Sequence, residues 1–500
     1  MENTYQKELK NISKESGIAG FGFFFFFFIN YLISVVLTRT LGSDHYGVFS
    51  LGMSIIIFAN SISLLGFDQT VVKFISHYRI ENNYKDVKGI IAFSLLSVLI
   101  FSMITVLILY IYTGTIAKIL KAPELLSVFR YFIPLVPVLN LLSIFMNIFT
   151  GFERPKIQVI AENIFVPGLV FVLLILASFT KIGLIRVIFF YVFSNFLVIL
   201  WVMARFKKDI GQLIRTIKPD YHIVEWIKFS MPLYLQTFLI RSKNKIPVYI
   251  ISYFMVSRDI GIYDICLKVS AVLTISLRSF NLVFAPKISK FYGQKKIDLI
   301  ESFYKSGTKW IFTFSLSLFM FFVLFAKDIL TIFGKDFTEG QLLLVIVLTG
   351  ELVNVSIGSA GNILIMTNKV KVSFYNSLIS LFITILFSVL FIPKFGLLGA
   401  GIAQMLSVSI INLLRLAQVY YFEKIHPYKL SYWKPAFSVL ISSAVTYIFK
   451  MQFQSHFLLN IALGGILFFS LFIMVLLLLR LDDDEKQLFQ EVLVKVGLKK

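Results

Sequence analysis

The stretch "GFGFFFFFFIN" at 20–30 places six phenylalanines in a row, Phe23 to Phe28, with Phe21 ahead of them and Asn30 directly behind. At about 100° per residue, six successive positions go right round a helix and leave no face for water. The run continues through "YLISVVL" to about 20 apolar residues, which matches a bilayer core of roughly 30 Å and exceeds an ordinary strand. The stretch therefore reads as a membrane span with an asparagine inside it. The whole chain agrees: of 500 residues 58% are hydrophobic and 15% charged, and the mean hydropathy is +0.84. No water-soluble core of this length needs such a composition. The expected fold class is an all-α integral membrane protein.

Working outward, fourteen apolar spans are expected, near 17–38, 46–66, 88–112, 128–150, 157–179, 183–204, 227–256, 261–285, 308–326, 341–365, 372–392, 397–421, 434–450 and 457–479. The net charge of +21 invites a nucleic-acid reading, but the placement of the charges argues against it. With the N-terminus inside, Lys and Arg favour the inner segments roughly threefold over the outer ones, the positive-inside pattern. Trp201, Trp226, Trp310 and Trp433 fall at inner span ends, as interface anchors do. Lys7, Lys10 and Lys14 precede a first run too long for a signal peptide, which reads as an uncleaved span. Both termini are expected in the cytoplasm, in a multi-pass protein of the cell membrane. The single cysteine, Cys266, excludes an internal disulfide. His45, His77, His222, His426 and His456 lie on connecting segments without ligand spacing, so no metal and no cofactor is expected.

Outer connections are short, and the largest inner one, "RFKKDIGQLIRTIKPDYHIVEW", reads as a linker between halves. An internal repeat supports that division. "SDHYGVF" at 43–49 answers to "SRDIGIY" at 257–263 and "KFISHY" at 73–78 to "KISKFY" at 287–292, with an offset of 214. Lys156 pairs with Lys371, and Lys181, Gly183 and Leu184 with Lys394, Gly396 and Leu397, at nearly the same offset. The domains expected are a six-helix bundle over 1–208, a cytoplasmic linker over 209–226, a second six-helix bundle over 227–424 and two additional spans over 425–480. The remaining 481–500 carry Leu488, Val492 and Val496 at helical spacing, an amphipathic tail.

Within this frame, "TRTLGSDHYGVFSLGMS" after the first span, "GFDQTVVKFISHY" after the second, "FSMPLYL" opening the seventh and "PKFGLLGAGIAQ" before the twelfth resemble the oligosaccharide-lipid flippases (Wzx-like) of the multidrug/oligosaccharidyl-lipid/polysaccharide exporter superfamily. The resemblance covers about residues 10 to 425. It implies two pseudo-symmetric six-helix bundles and a lipid-linked oligosaccharide as substrate. The two extra spans resemble those of the lipid II flippases, whose first helix typically carries basic residues where this chain has phenylalanine.

Ionisable groups at membrane depth are the candidate site. Span seven holds Arg241, Lys243 and Lys245 around Asn244; span eight holds Asp264, Lys268 and Arg278. At roughly 2.5–3.5 kcal/mol per central Arg or Lys, five such cations facing lipid cost on the order of 12–17 kcal/mol. Helical phase places Asp264, Lys268, Ala271, Ile275 and Arg278 on one face, and Thr237, Arg241 and Lys245 on another. The competing reading is snorkelling or pairing within the fold, and Lys309 and Arg415 read as residues near helix ends. Only Asp264, Glu351 and Glu162 offer opposite charge in the spans, so the surplus is positive and asks for an anionic passenger. Asn30, Ser34 and Thr38 form a weaker polar line on span one.

The substrate-binding set is accordingly Arg241, Lys243, Lys245, Lys268, Arg278, Asn30 and Asn244, with Asp264 and Glu351 as ion-coupling groups. "GIAGFG" and "GLLGAG" lack the strand and lysine of phosphate loops, and no Walker motif occurs, so no enzyme is expected. The function implied is outward flipping of a polyprenyl-(pyro)phosphate-linked oligosaccharide by alternating access. The alternatives are a lipid II flippase and a cation-coupled multidrug extruder. Expected partners are the anionic lipid-linked oligosaccharide, membrane lipids and a polysaccharide polymerase or glycosyltransferase complex.

Overall fold

The computed structural model describes residues 2–178, 183–453 and 456–479; they are helical almost throughout, with no strand among them. The amphipathic tail expected over 481–500 lies outside the described residues, as does Lys181. Packing divides the chain into two units, 1–261 and 262–500.

The first unit contains α1 (Glu2–Ser63), α2 (Phe67–Ile80), α3 (Tyr84–Ile111), the short α4 (Thr113–Ile119) and α5 (Glu124–Phe132), and α6 (Leu135–Gly151). There follow α7 (Pro155–Gln158), a π-helical segment Val159–Phe165, α8 (Val166–Ser178), α9 (Leu184–Phe206), α10 (Gln212–Ile214) and α11 (Ile223–Phe254). α12 (Ser257–Ser270) opens in this unit and leads into the second, which continues with a 3₁₀ segment Ala271–Thr274 and α13 (Ile275–Gly293). α14 (Ile297–Leu324), α15 (Ala326–Phe333), α16 (Gln341–Ile357), α17 (Ala360–Met366), α18 (Val370–Glu423), α19 (Trp433–Gln452) and α20 (Phe457–Leu478) complete it.

Among the described residues, 10 helices are long and apolar enough to cross a membrane. Two of them are double: α1 breaks at Gly42 (φ 74, ψ 174) and α18 at Gly396 (φ 57, ψ −133), conformations open to glycine for want of a Cβ. At 1.5 Å per residue, the 62 residues of α1 and the 54 of α18 run about 93 and 80 Å, ample for two crossings each. The fourteen spans expected from the sequence count both arms of these helices and add α11 and α19, whose polar residues keep them out of the apolar set.

The repeat is written in the helix ends. Shifted by 214, α3 falls on 298–325, against an observed Ile297–Leu324 for α14; the break at Gly42 falls on 256, in the gap between α11 and α12. Within the first unit the two copies of the "S-x-x-x-G" segment also touch reciprocally. A Cβ on Gly47 would stand 1.7 Å from the Ser257 carbonyl oxygen, and one on Gly261 2.8 Å from that of Ser43. Only glycine permits so close a crossing of backbones.

Two sequence expectations change here. Trp226 is no interface anchor: it is fully buried, and its Nε1 donates to Tyr78 Oη at 3.1 Å inside the core formed by Phe67, Phe74, Val87, Ile90 and Phe149. The linker is also shorter than 209–226. Ile210 and Ile214, one turn apart, are both buried in that core, so the chain stays helical to Ile214 and only 215–222 are extended or turned before α11.

Candidate functional site

α11 carries the cluster of cations, and its neighbours fix where they stand. Against the second arm of α1, Tyr249 Oη donates to the Ser54 carbonyl at 2.9 Å, and Phe58 packs on the Phe238 and Tyr249 rings at 5.6 and 6.2 Å. Nearer the start of α11, Leu65 and Gly66 are both left-handed (φ 51 and 75) and turn the chain hard against the helix. A Cβ on Gly66 would lie 2.7 Å from Ser230 O and 2.9 Å from Tyr234 N, and the Ser230 hydroxyl donates to Leu65 O. That turn launches α2 and sets Asp68 in its first turn, where a helix N-terminus favours a carboxylate.

Asp68 is the residue the sequence reading missed. Its Oδ1 accepts the Gln69 N–H at 3.0 Å, and its Oδ2 lies 3.8 Å from Arg241 Nη2, the two side chains 13% and 36% exposed. The acids considered as partners were those inside spans; Asp68 stands just past the end of one and is brought back by the left-handed turn. Its signal was present in "GFDQ", an acid two residues beyond a glycine. The positive surplus is smaller than expected by this charge, but Arg241 is not saturated. Among the described residues its guanidinium makes this ion pair and no hydrogen bond, leaving its N–H donors uncommitted.

Lys243 and Lys245 are half-buried and Asn244 is exposed; α11 is helical throughout, so Thr237, Arg241 and Lys245 do share a face. Asn30 is half-buried and its Nδ2 donates to Phe26 O at 2.8 Å, in its own helix. Ser34 and Thr38 do the same toward Asn30 O and Ser34 O, both at 2.9 Å, so the polar line on span one bonds inward to its backbone. Glu162 lies in the π segment, where Gln158 donates to its Oε2 at 3.3 Å and Thr150 donates to Gln158 at 2.8 Å.

In the second unit Asp264 Oδ2 meets Lys268 Nζ at 3.0 Å, one turn apart, so part of this cluster pairs within its own helix. The single α-helical face expected from Asp264 to Arg278 is interrupted by the 3₁₀ turn 271–274, whose Leu273 carbonyl accepts the Ser315 hydroxyl at 2.9 Å. At about 20° extra per residue over four residues, the interruption advances the helix by about 80°. Lys268 and Arg278, both exposed, then point along nearly one azimuth, where an unbroken α-helix holds them about 80° apart. Glu351 is half-buried on α16 and accepts from Asn354 Nδ2 at 3.0 Å. Lys309 is not near a helix end: it is the middle of α14 and only 3% exposed.

A model of the polysaccharide biosynthesis protein family matches residues 16–292, more than half of the chain. The chain belongs to this family. The match takes in the motifs at 38–54, 66–78 and 229–235, which supply Gly42, Gly47, Gly66, Asp68 and Ser230. A MatE family model matches 232–390. Capsular polysaccharide biosynthesis protein CapF of Staphylococcus aureus is 30% identical over 196 residues, 39% of this chain and 48% of CapF. The probable low-salt glycan biosynthesis flippase Agl15 of Haloferax volcanii is 24% identical over 231 residues, 45% of this chain and 48% of Agl15. The chain thus spans about half the length of the curated relatives it matches. Among solved structures, the lipid II flippase MurJ in an inward closed conformation superposes with a TM-score of 0.73 at 13% identity, over 91% of this chain and 97% of MurJ. An inward-facing multidrug resistance MATE family transporter of the MOP superfamily gives 0.68 at 13%, over 79% and 94%. At such identity the likeness is one of fold, and it bears out the all-α membrane architecture read from the sequence.

Proposed function

We propose that the protein is a flippase, not an enzyme, which moves a polyprenyl-(pyro)phosphate-linked oligosaccharide from the cytoplasmic to the outer leaflet of the cell membrane, both termini lying in the cytoplasm. The observation that carries the reading is Arg241: an arginine on α11, half-buried, ion-paired at 3.8 Å to Asp68 and otherwise free of hydrogen bonds among the described residues. A phosphate can take those donors in charge-assisted, bidentate contacts that the distant carboxylate leaves open. Lys243 and Lys245 on the same helix extend the basic set, Lys268 and Arg278 are proposed as a separate basic pair of the second unit, and Asn30 and Asn244 offer amides to sugar hydroxyls. The headgroup needs such a polar path because its hydroxyls cannot cross hydrocarbon unsatisfied.

Membership in the polysaccharide biosynthesis protein family, and the glycan-related names of CapF and Agl15, support the substrate class. An inside-negative potential favours outward movement of an anion by about 2.3 kcal/mol per charge per 100 mV. Asp264 and Glu351 are the groups proposed for ion coupling; at Asp264 a cation competes with Lys268. A polysaccharide polymerase or glycosyltransferase is the proposed neighbour in the membrane. The MurJ-like fold favours a lipid II flippase as second reading. Native mass spectrometry of the purified protein decides between them: a retained prenyl-phosphate glycan, lost in Arg241→Ala, is expected. Retention of lipid II turns the reading to the alternative, and export undiminished in Arg241→Ala with Lys245→Ala sinks both.

A further inference from the structure

At the end of the first unit that bears the linker, His222 is not a free loop histidine. Its Nε2 lies 3.3 Å from Asp86 Oδ2, and ligand atoms of Asp86, Asp220 and His222 all lie within 4.8 Å of one another. The segment carrying two of them is held firmly. The Asp220 N–H donates to Lys85 O at 3.2 Å, and its carbonyl oxygen sits where a Cβ on Gly89 would be, at 1.6 Å. Lys88 Nζ donates to Arg215 O at 3.1 Å and Ile217 O at 2.7 Å. Asn83 Nδ2 orients Asp86 by donating to its Oδ2 at 2.7 Å.

We propose that Asp86, Asp220 and His222 bind one divalent transition-metal ion of the Zn²⁺ class, which staples the linker to the start of α3. Two observations support an ion over a simple His–Asp contact. The 3.3 Å separation is long for an N–H···O hydrogen bond, yet it equals the edge, about 3.3 Å, of a tetrahedron with ligand bonds of 2.0–2.1 Å. The charges also ask for it. Two carboxylates converge, one with its side chain only 8% exposed, while the ammonium of neighbouring Lys88 is directed to two carbonyls. A divalent cation with a neutral imidazole offsets both carboxylates. One imidazole with two carboxylates and no thiolate selects Zn²⁺ or Mn²⁺ over Ca²⁺, Mg²⁺ and Cu⁺. The fourth position is left to water. The linker so fastened leads directly into α11, but the site does not depend on the transport reading.

The test is titration of the full-length, detergent-purified, chelator-treated protein with Zn²⁺ and Mn²⁺, read by calorimetry and by the thermal midpoint. One equivalent of either metal, with a midpoint raised by several degrees, is expected. His222→Ala and Asp220→Asn, both at exposed positions, are each expected to weaken binding at least tenfold and to abolish the midpoint shift. His77→Ala, at an exposed histidine 3.4 Å from Glu81, is expected to leave both intact. Wild-type binding no tighter than that of His222→Ala overturns the proposal, as does a loss in His77→Ala equal to that in His222→Ala. Either result leaves His222 in simple contact with Asp86.

Discussion

The first helices of the two repeats occupy equivalent places in the chain and carry opposite chemistry. With the offset of 214, Phe27, Ile29, Asn30 and Tyr31 on α1 answer to Arg241, Lys243, Asn244 and Lys245 on α11. Ile29 is buried and Asn30 bonds its own backbone, whereas Arg241 faces Asp68. The carboxylate is also unmatched, for the position equivalent to Asp68 is Leu282, which is exposed. Both members of the charged pair therefore have apolar twins. The glycine at 47 and 261 is kept in both copies, and there a backbone passes within contact distance. Backbone geometry is shared by the repeats because close crossings tolerate no side chain; charge, which no such crossing constrains, differs.

The strongest way to break this comparison is at the shared glycines. Gly47→Ala meets a carbonyl oxygen at 1.7 Å, a backbone atom that cannot rotate away, and Gly261→Ala meets one at 2.8 Å. Overpacking typically costs about 1–3 kcal/mol and at times more. Gly47→Ala is expected at or beyond the upper end, with loss of folded protein, and Gly261→Ala below it. Equal thermal stability for both variants and the wild type would remove the reciprocal crossing.

Next come the unmatched charges. Arg241→Ala is expected to reduce glycan export at least tenfold, since the loss of one strong phosphate contact is worth about 1.5–3 kcal/mol. Phe27→Arg, which makes the first repeat resemble the second, should also disturb export, whereas Phe24→Leu should be nearly silent; the reverse order would undo the assignment of the two helices. Asp68→Asn frees Arg241 from its counter-charge. More phosphate-bearing lipid should then be retained in native mass spectra, with slower turnover, and a lower retention than wild type would show that the carboxylate positions Arg241 instead of competing for it.

The smallest effect is expected at Lys268. Its bond to Asp264 is a partly exposed pair one turn apart, with 44% of the lysine side chain accessible. Lys268→Ala should cost no more than about 0.5 kcal/mol of stability, and a larger loss in thermal denaturation would place Lys268 in a structural role.

Much of the fold was legible because bilayer insertion is a one-dimensional constraint. The phenylalanine run, the apolar windows and the offset of 214 require only the chain, and the helix ends of α3 and α14 follow the offset to within one residue. The candidate site was legible in part. Arg241 and Lys268 stood out as charges within apolar stretches, and the pairing of Lys268 with Asp264 followed from their spacing of four. Asp68 was missed because it reaches Arg241 across 173 positions of chain through a left-handed turn. His222 was placed in a connecting loop, and so it is, but two aspartates converge on it only once the linker folds onto α3.

The sequence by itself determined an all-helical membrane chain, its internal repeat and the presence of cations where lipid should be, since hydropathy and period are properties of neighbouring residues. Tertiary structure alone decided that α11, head of the second repeat, packs in the first unit, and that Arg241 meets Asp68 there. Those outcomes depend on which backbones can approach one another, at Gly47, Gly66 and Gly89, and a side chain's absence acts only through the partner that fills its place.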